Sequence, residues 1–247
     1  MGLEDRARAS LAISLTMFHS ARGLASLMVD SSGAGIRQVA LDWGKSMVDV
    51  SGAQIEVHGL RPELFDSPFI LMANHASHYD IPILLSVVPR CPGFLAKKEL
   101  FDFPIFGPAM KGIQCVPIDR ADRKQSLEAI ENAADVVRTG GRLVVFPEGT
   151  RGTGRALQPL KKGPFHLVQR ARVPIIPVGL IGTASICPRD RVRVYPGKVT
   201  IRFGEPITFS RERPTNMSVE RNALMRTVAA ALSELSGLPQ GDVSSDG

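Results

Sequence analysis

The sequence predicts an α/β fold: a mainly parallel mixed sheet flanked by helices, with an N-terminal amphipathic two-helix segment. Three observations carry this reading. From Gln54 onward, short apolar runs alternate with helical patterns, the order required when parallel strands are joined by crossover helices. Runs such as Phe69–Ala73 are apolar at every position, as strands covered on both faces are. A length of 247 residues with 44% hydrophobic content is enough for one well-buried domain with a small appendage. The expected organisation is an N-terminal helical segment over 1–52, an α/β domain over 53–238 and a disordered tail over 239–247. No internal repeat or linker interrupts it.

From Arg6 to Val29 the apolar residues Leu11, Leu15, Phe18, Leu24, Leu27 and Met28 recur at helical spacing, and Asp30–Gly35 breaks the pattern. A second helix runs to about Val50 through Ile36, Val39, Trp43 and Met47. The pair reads as a flap on the domain in preference to a lipid-interface element, because amphipathic helices are common in soluble proteins, and Trp43 beside Lys45 and Met47 is the only hint of the interface. Strands follow at Ile55–Val57 and Phe69–Ala73, then a short helix over 81–88 and a strand over Gly93–Ala96. Ile113–Ile118 reads as a further strand. Arg123–Arg138 reads as a helix ended by Thr139-Gly140-Gly141, as helix C-termini favour glycine. The strand Leu143–Phe146, a glycine-rich loop over Gly149–Gly154 and a helix near Gly163–Ala171 come next. Val173–Leu180 holds two prolines, which predict strand ends or a sheet edge rather than a central ladder. Val199–Phe203 is a late strand, Val219–Leu235 an amphipathic helix, and Gln240–Gly247 reads as disordered.

The net charge is +6, and between Lys97 and Arg172 there are 14 Lys/Arg against 8 Asp/Glu, so the whole surplus sits in the middle third. A local basic field suits an anionic partner. Nucleic acid is the weakest such partner, because this region lacks interleaved aromatics and any recognised module. Cys91, Cys115 and Cys187 lie far apart, which excludes a zinc motif and a disulfide framework and fits buried thiols in a reducing compartment. The start is acidic rather than a basic secretory leader, no apolar run approaches a spanning helix, and Asn216-Met217-Ser218 therefore means little as a glycosylation signal.

The chemistry concentrates in Asn74-His75-Ala76-Ser77-His78-Tyr79-Asp80, directly after the apolar run Phe69–Ala73. Five residues apart, His75 and Asp80 would sit roughly 140° apart on a continuous helix, but on a turn leaving a strand they can meet. A carboxylate there orients an imidazole as general base, and an ordinary imidazole is already matched to neutral pH. Taken alone, Asp80 reads equally well as a helix N-cap ahead of Pro82, and His75 as a structural histidine. His78 suggests a metal set with His75 and Asp80, yet no further ligand cluster follows, so no metal is expected. The second segment, Phe146-Pro147-Glu148-Gly149-Thr150-Arg151, follows the strand Leu143–Val145. There Arg151 can project into a cleft and grip phosphate bidentately, or lie on the surface as most arginines do. Glu148 can anchor its loop by accepting backbone N–H groups. No Gly-x-Ser-x-Gly elbow, P-loop or dinucleotide fingerprint occurs, so neither a serine hydrolase nor a nucleotide cofactor is supported.

Together, His75-x4-Asp80 and the later Phe146–Arg151 segment resemble the signatures of the glycerolipid acyltransferase family over roughly Phe69 to Leu180. The resemblance implies acyl transfer from a thioester, acyl-CoA or acyl carrier protein, to the free hydroxyl of 1-acylglycerol-3-phosphate, giving phosphatidic acid. His75 would be the base and Asp80 its orienting partner, with no cofactor, and backbone amides near the His75 turn would stabilise the oxyanion. It further implies acceptor contacts from Glu148, Gly149, Thr150 and Arg151. From the block ending in Asp119-Arg120, it adds Arg120 and Lys97 or Lys98 as phosphate contacts. The expected setting is peripheral, on the cytoplasmic face of a membrane. Alternatives are an acyltransferase for another lysolipid, such as an ornithine lipid, or a non-catalytic lipid- or phosphate-binding module.

Overall fold

The structure, a computed structural model, describes residues 3–119, 122–189, 193–208 and 216–241. Two long helices open the chain, α1 (Leu3–Val29) and α2 (Ala34–Ser51), followed by β1 (Ala53–His58). β2 (Ile70–Ala73), α3 (Asp80–Val87), β3 (Gly93–Lys97), α4 (Phe106–Gly112), β4 (Val116–Ile118), α5 (Arg123–Arg138), β5 (Leu143–Val145), α6 (Lys162–Ala171) and β6 (Ile175–Ile181) form the alternating body. A short α7 (Thr183–Ile186), β7 (Gly197–Phe203) and α8 (Met217–Ser236) complete it.

The seven strands lie in the order β1-β7-β6-β2-β5-β3-β4, all neighbours parallel except the antiparallel pair β6–β7. This is the mainly parallel mixed sheet expected. β2 shows why both faces must be covered: Leu71 and Ala73 face one core, Ile70 and Met72 the other, and all four are inaccessible to solvent. The first core joins the sheet to α1–α4, the second joins it to α5, α6 and α8. Burying each Ile, Leu or Met of these runs contributes about 2 kcal/mol.

Most boundaries match the periodicity, and three do not. The expected strand from Ile113 is shorter, because α4 occupies Phe106–Gly112 and Gln114 turns with φ 63° before β4 begins at Val116. Pro174 stands just before β6, at the strand end expected, but Pro177 lies inside an interior strand between β7 and β2, contrary to the strand end or edge expected of it. Pro177 is tolerated there because its carbonyl, accepting from Gly204 N–H at 2.9 Å, faces the side where the chain has just left β7 at Phe203. Its missing N–H faces that same gap, where no ladder donor is needed. At the C-terminus, Leu157 N–H donates to the Pro239 carbonyl and Gly241 N–H to the Leu157 carbonyl, both at 3.0 Å, so 239–241 are tied down. The rest of the expected tail lies outside the described residues. Asn216 caps α8 through its side-chain oxygen, which accepts from Ser218 and Val219 N–H. Among the described residues, no helix is long and apolar enough to cross a membrane.

Candidate active site

β2 and β5 are neighbouring parallel strands in which Met72 is opposite Val145. Three residues further along each, beyond their carboxyl ends, stand His75 and Glu148, so the register itself brings the two motifs together. Crevices of this kind, at the carboxyl ends of parallel strands, are where α/β folds place their ligands.

His75 Nδ1 lies 2.6 Å from Asp80 Oδ2, and the same oxygen accepts the backbone N–H groups of Ala76 (2.8 Å) and Ser77 (2.9 Å). An oxygen that receives two amide protons is an acceptor, so Nδ1 carries the ring proton and donates it. Nε2 is then the basic nitrogen. Asp80 is fully buried at the first residue of α3, whereas the His75 side chain keeps 16% of its surface exposed. The Phe146 ring stacks on the imidazole at 3.9 Å between centroids, 16° from coplanar, and fixes its plane. Asn74 anchors the turn to β6: its amide donates to the Leu180 carbonyl at 2.9 Å, and its oxygen accepts Leu180 N–H at 2.7 Å.

Glu148 is buried and faces inward. Its Oε1 accepts His75 N–H at 2.6 Å and its Oε2 accepts Gln158 N–H at 2.7 Å. Burial pushes its carboxyl up to about 7, against the downward pull of those two hydrogen bonds. The anchoring role expected of Glu148 is thus the one its geometry shows, both oxygens accepting backbone N–H groups. Gly149 takes φ 71°, which a side chain would strain, and Thr150 is exposed. Gly152 N–H closes the assembly on the His75 carbonyl at 2.7 Å. Arg151 is partly buried, and its Nη1 is buried with no hydrogen-bond partner among the described residues. It lies near His78, whose pKa is lowered first by burial, then by the Arg151 guanidinium and by His75, with Asp80 opposing.

The amides expected to receive an oxyanion are committed elsewhere: that of His75 to Glu148, those of Ala76 and Ser77 to Asp80. Lys97, at the end of β3, is exposed and pairs with Glu99 at 3.1 Å, while Lys98 pairs with Asp119. Arg120 lies outside the described residues. Trp43 turns inward, its indole N–H donating to Thr16 Oγ1 at 3.1 Å. Burial drives Cys91 and Cys115 up to about 12, and all three cysteines are buried. Phe146, Asn74 and Gln158 were not marked by the sequence. Asn74 and Phe146 each open one of the two motif segments, but no spacing rule assigns them these contacts.

The family model of the Acyltransferase domain matches residues 54–181, more than half of the chain. Over 165 residues the chain is 33% identical to a 1-acyl-sn-glycerol-3-phosphate acyltransferase of Cocos nucifera, covering 66% of this chain and 53% of that one. Over 143 residues it is 35% identical to the chloroplastic enzyme of that name from Brassica napus, covering 58% of this chain and 41% of the other. The chain therefore spans about half the length of these curated relatives. The crystal structure of the 1-acyl-sn-glycerophosphate (LPA) acyltransferase PlsC from Thermotoga maritima superposes with a TM-score of 0.66 at 26% identity, covering 92% of this chain and 97% of that one. The resemblance read from two short motifs is borne out by the family model over residues 54–181, and the chain belongs to the acyltransferase family.

Proposed function

We propose that this protein transfers an acyl group from a thioester, acyl-CoA or acyl carrier protein, to the free hydroxyl of 1-acylglycerol-3-phosphate, forming phosphatidic acid. The observation that carries the reading is the His75–Asp80 pair, oriented with Nε2 available beside a loop that bears a buried, unpartnered arginine nitrogen. In the reaction, the acceptor hydroxyl oxygen attacks the thioester carbonyl carbon as Nε2 takes its proton. Asp80 and the stacked Phe146 hold the imidazolium in place. Collapse of the tetrahedral intermediate breaks the C–S bond, and the proton passes from Nε2 to the departing sulfur, leaving an ester and a free thiol. With both substrates seated together, no acyl-enzyme is required. Arg151, with Arg120 and Lys97 or Lys98, supplies charge for the acceptor's phosphate.

The chain-binding requirement is supported by an apolar cavity of about 120 Å³ bounded by Ile36, Trp43, Leu85, Phe94, Phe106 and Ile113. Peripheral attachment to a membrane, which we place on its cytoplasmic face as part of the proposal, draws on the outer side of α1 only for the attachment itself. There Phe18 is 60% exposed, and Met28 and Val29 are almost wholly so.

The test is acyl transfer by purified protein from palmitoyl- and oleoyl-CoA, and from acyl carrier protein thioesters, to lysophosphatidate, with His75→Ala in parallel. Phosphatidate should form with the wild type and fall by roughly a thousandfold in the variant, whose circular dichroism and melting should be unchanged. Residual activity within tenfold of wild type removes His75 from the chemistry. No product from any donor, with lysophosphatidate still bound, moves the acceptor to another lysolipid or leaves a binding module.

A further inference from the structure

A second cavity, of about 460 Å³, meets the apolar one at Thr16, which lines both. Most of its lining is apolar, including Ala12 of α1, Met47 of α2 and Val194. Its basic members are His78, Arg189 and Arg193, the two arginines coming from the segment after α7 and outside both motifs. Arg189 is not loose on the surface: its Nη1 donates to the Arg151 carbonyl at 2.9 Å, tying it to the glutamate loop. His78 is three residues from the base and lies near the Arg151 side chain. A cavity apolar along one helix and cationic at the end nearest the base fits an amphiphile with one acyl chain and an anionic head. Two guanidiniums on the lining, with that of Arg151 near His78, suit the roughly double negative charge of a phosphate monoester better than a zwitterionic head, which brings a cation of its own.

Building on the function proposed above, we infer that this second cavity is the seat of the acceptor lysolipid, its chain against α1. Arg189 and Arg193 then set the requirement for a phosphate monoester head, while the donor's chain occupies the apolar cavity beyond Thr16. The two cavities follow one another along the same face of α1, through Ala9, Ala12 and Thr16 and then Thr16, His19 and Ser20, and the two reacting ends are to meet at His75.

The test is the double variant Arg189→Gln/Arg193→Gln in the full chain, assayed with lysophosphatidate, with monoacylglycerol, which lacks the phosphate, and with lysophosphatidylcholine. KM for lysophosphatidate should rise about tenfold or more, as expected for losing hydrogen bonds to a charged group. The loss should be confined to the phosphate monoester, KM for acyl-CoA should stay within twofold, and Arg193→Lys restored alone should recover part of the effect. An increase in donor KM instead would assign the arginines to the donor's phosphates and overturn the proposal, as would equal losses with monoacylglycerol or no change at all. Titration of monomeric lysophosphatidate into His75→Ala protein, with and without the two substitutions, separates this from the function itself. Tenfold weaker binding in the arginine variant upholds the seat even if no turnover is found, and equal binding removes it.

Discussion

Asp80 satisfies three donors with a single oxygen: the His75 ring and the amides of Ala76 and Ser77. One carboxylate therefore shapes the turn and orients the base. The spacing of His75 and Asp80 sufficed to bring them together, because a strand that ends in a tight turn leaves few other arrangements. The stacking of Phe146 was not legible, since no spacing rule encodes a contact made across two strands. Glu148 makes the sharper test of how the site is built. Its carboxyl, near 4.5 in an unfolded chain, is raised to about 7 by burial. Between those values the native state holds the extra proton, so stability falls as pH rises through that window and levels off above about 7. The full term is worth roughly 3 kcal/mol at about 1.4 kcal/mol per unit. Glu148→Gln lacks this term and turns an amide NH2 toward one of two N–H groups. The stability difference, wild type minus variant, should thus slope downward from pH 4.5 to 7 in urea titrations. At neutral pH the variant should lose activity through kcat together with stability. A raised KM with unchanged melting would instead make Glu148 a substrate contact.

At the level of elements, helices with clean periodicity and capping were legible to within a few residues. α5 was read at its observed limits, Arg123–Arg138, with Asp122 accepting from Lys124 and Gln125 N–H at its start. α4 was not legible for a physical reason. Phe106–Gly112 contains Gly107, Pro108 and Gly112 and is bracketed by Ile105 at φ 67° and Gln114 at φ 63°, so tertiary packing rather than propensity holds it. A Cβ on Gly112 would meet the side-chain tips of Ile36 and Leu27, at 2.6 and 3.2 Å, which would have to move aside for a larger residue. Pro177 shows the same override in the sheet, where a neighbour's departure made an interior proline harmless. Gly44 permits a close approach of two helices. A Cβ there would lie 2.8 Å from Leu85 Cβ, the Pro82 carbonyl and Ser86 N, so α2 rests directly on α3. Gly44→Ala should cost about 2 kcal/mol as overpacking. Because α3 begins at Asp80, kcat should fall with it, whereas a stability loss with full kcat would show that the helix pair moves without disturbing the site.

The molecule as a whole is a two-sided sheet whose helical hairpin covers one face and leaves an apolar stripe outward. The sequence placed this hairpin but could not tell a flap from an interface, because amphipathicity states that one face is covered and not by what. The structure shows it packed on α3 and α4 while Leu11, Phe18 and Met28 stay exposed. Replacing these three with serine should reduce co-sedimentation with anionic vesicles about tenfold or more, each having contributed on the order of 1 kcal/mol of apolar burial in lipid. Melting temperature should not change. Unaltered vesicle binding would confine the hairpin to a role within the protein.

One buried side chain fastens the two working loops to each other. Glu148 holds the amide of His75 and that of Gln158, and Gly152 returns a hydrogen bond to the His75 carbonyl. Neither loop can open while the other stays closed, and the strap sits at the ends of the two innermost strands. Many enzymes lose activity several degrees before they unfold, as a loosely held site fails first. Here the temperature of half-inactivation should coincide with that of half-unfolding, making heat resistance of the catalyst a property of the whole sheet.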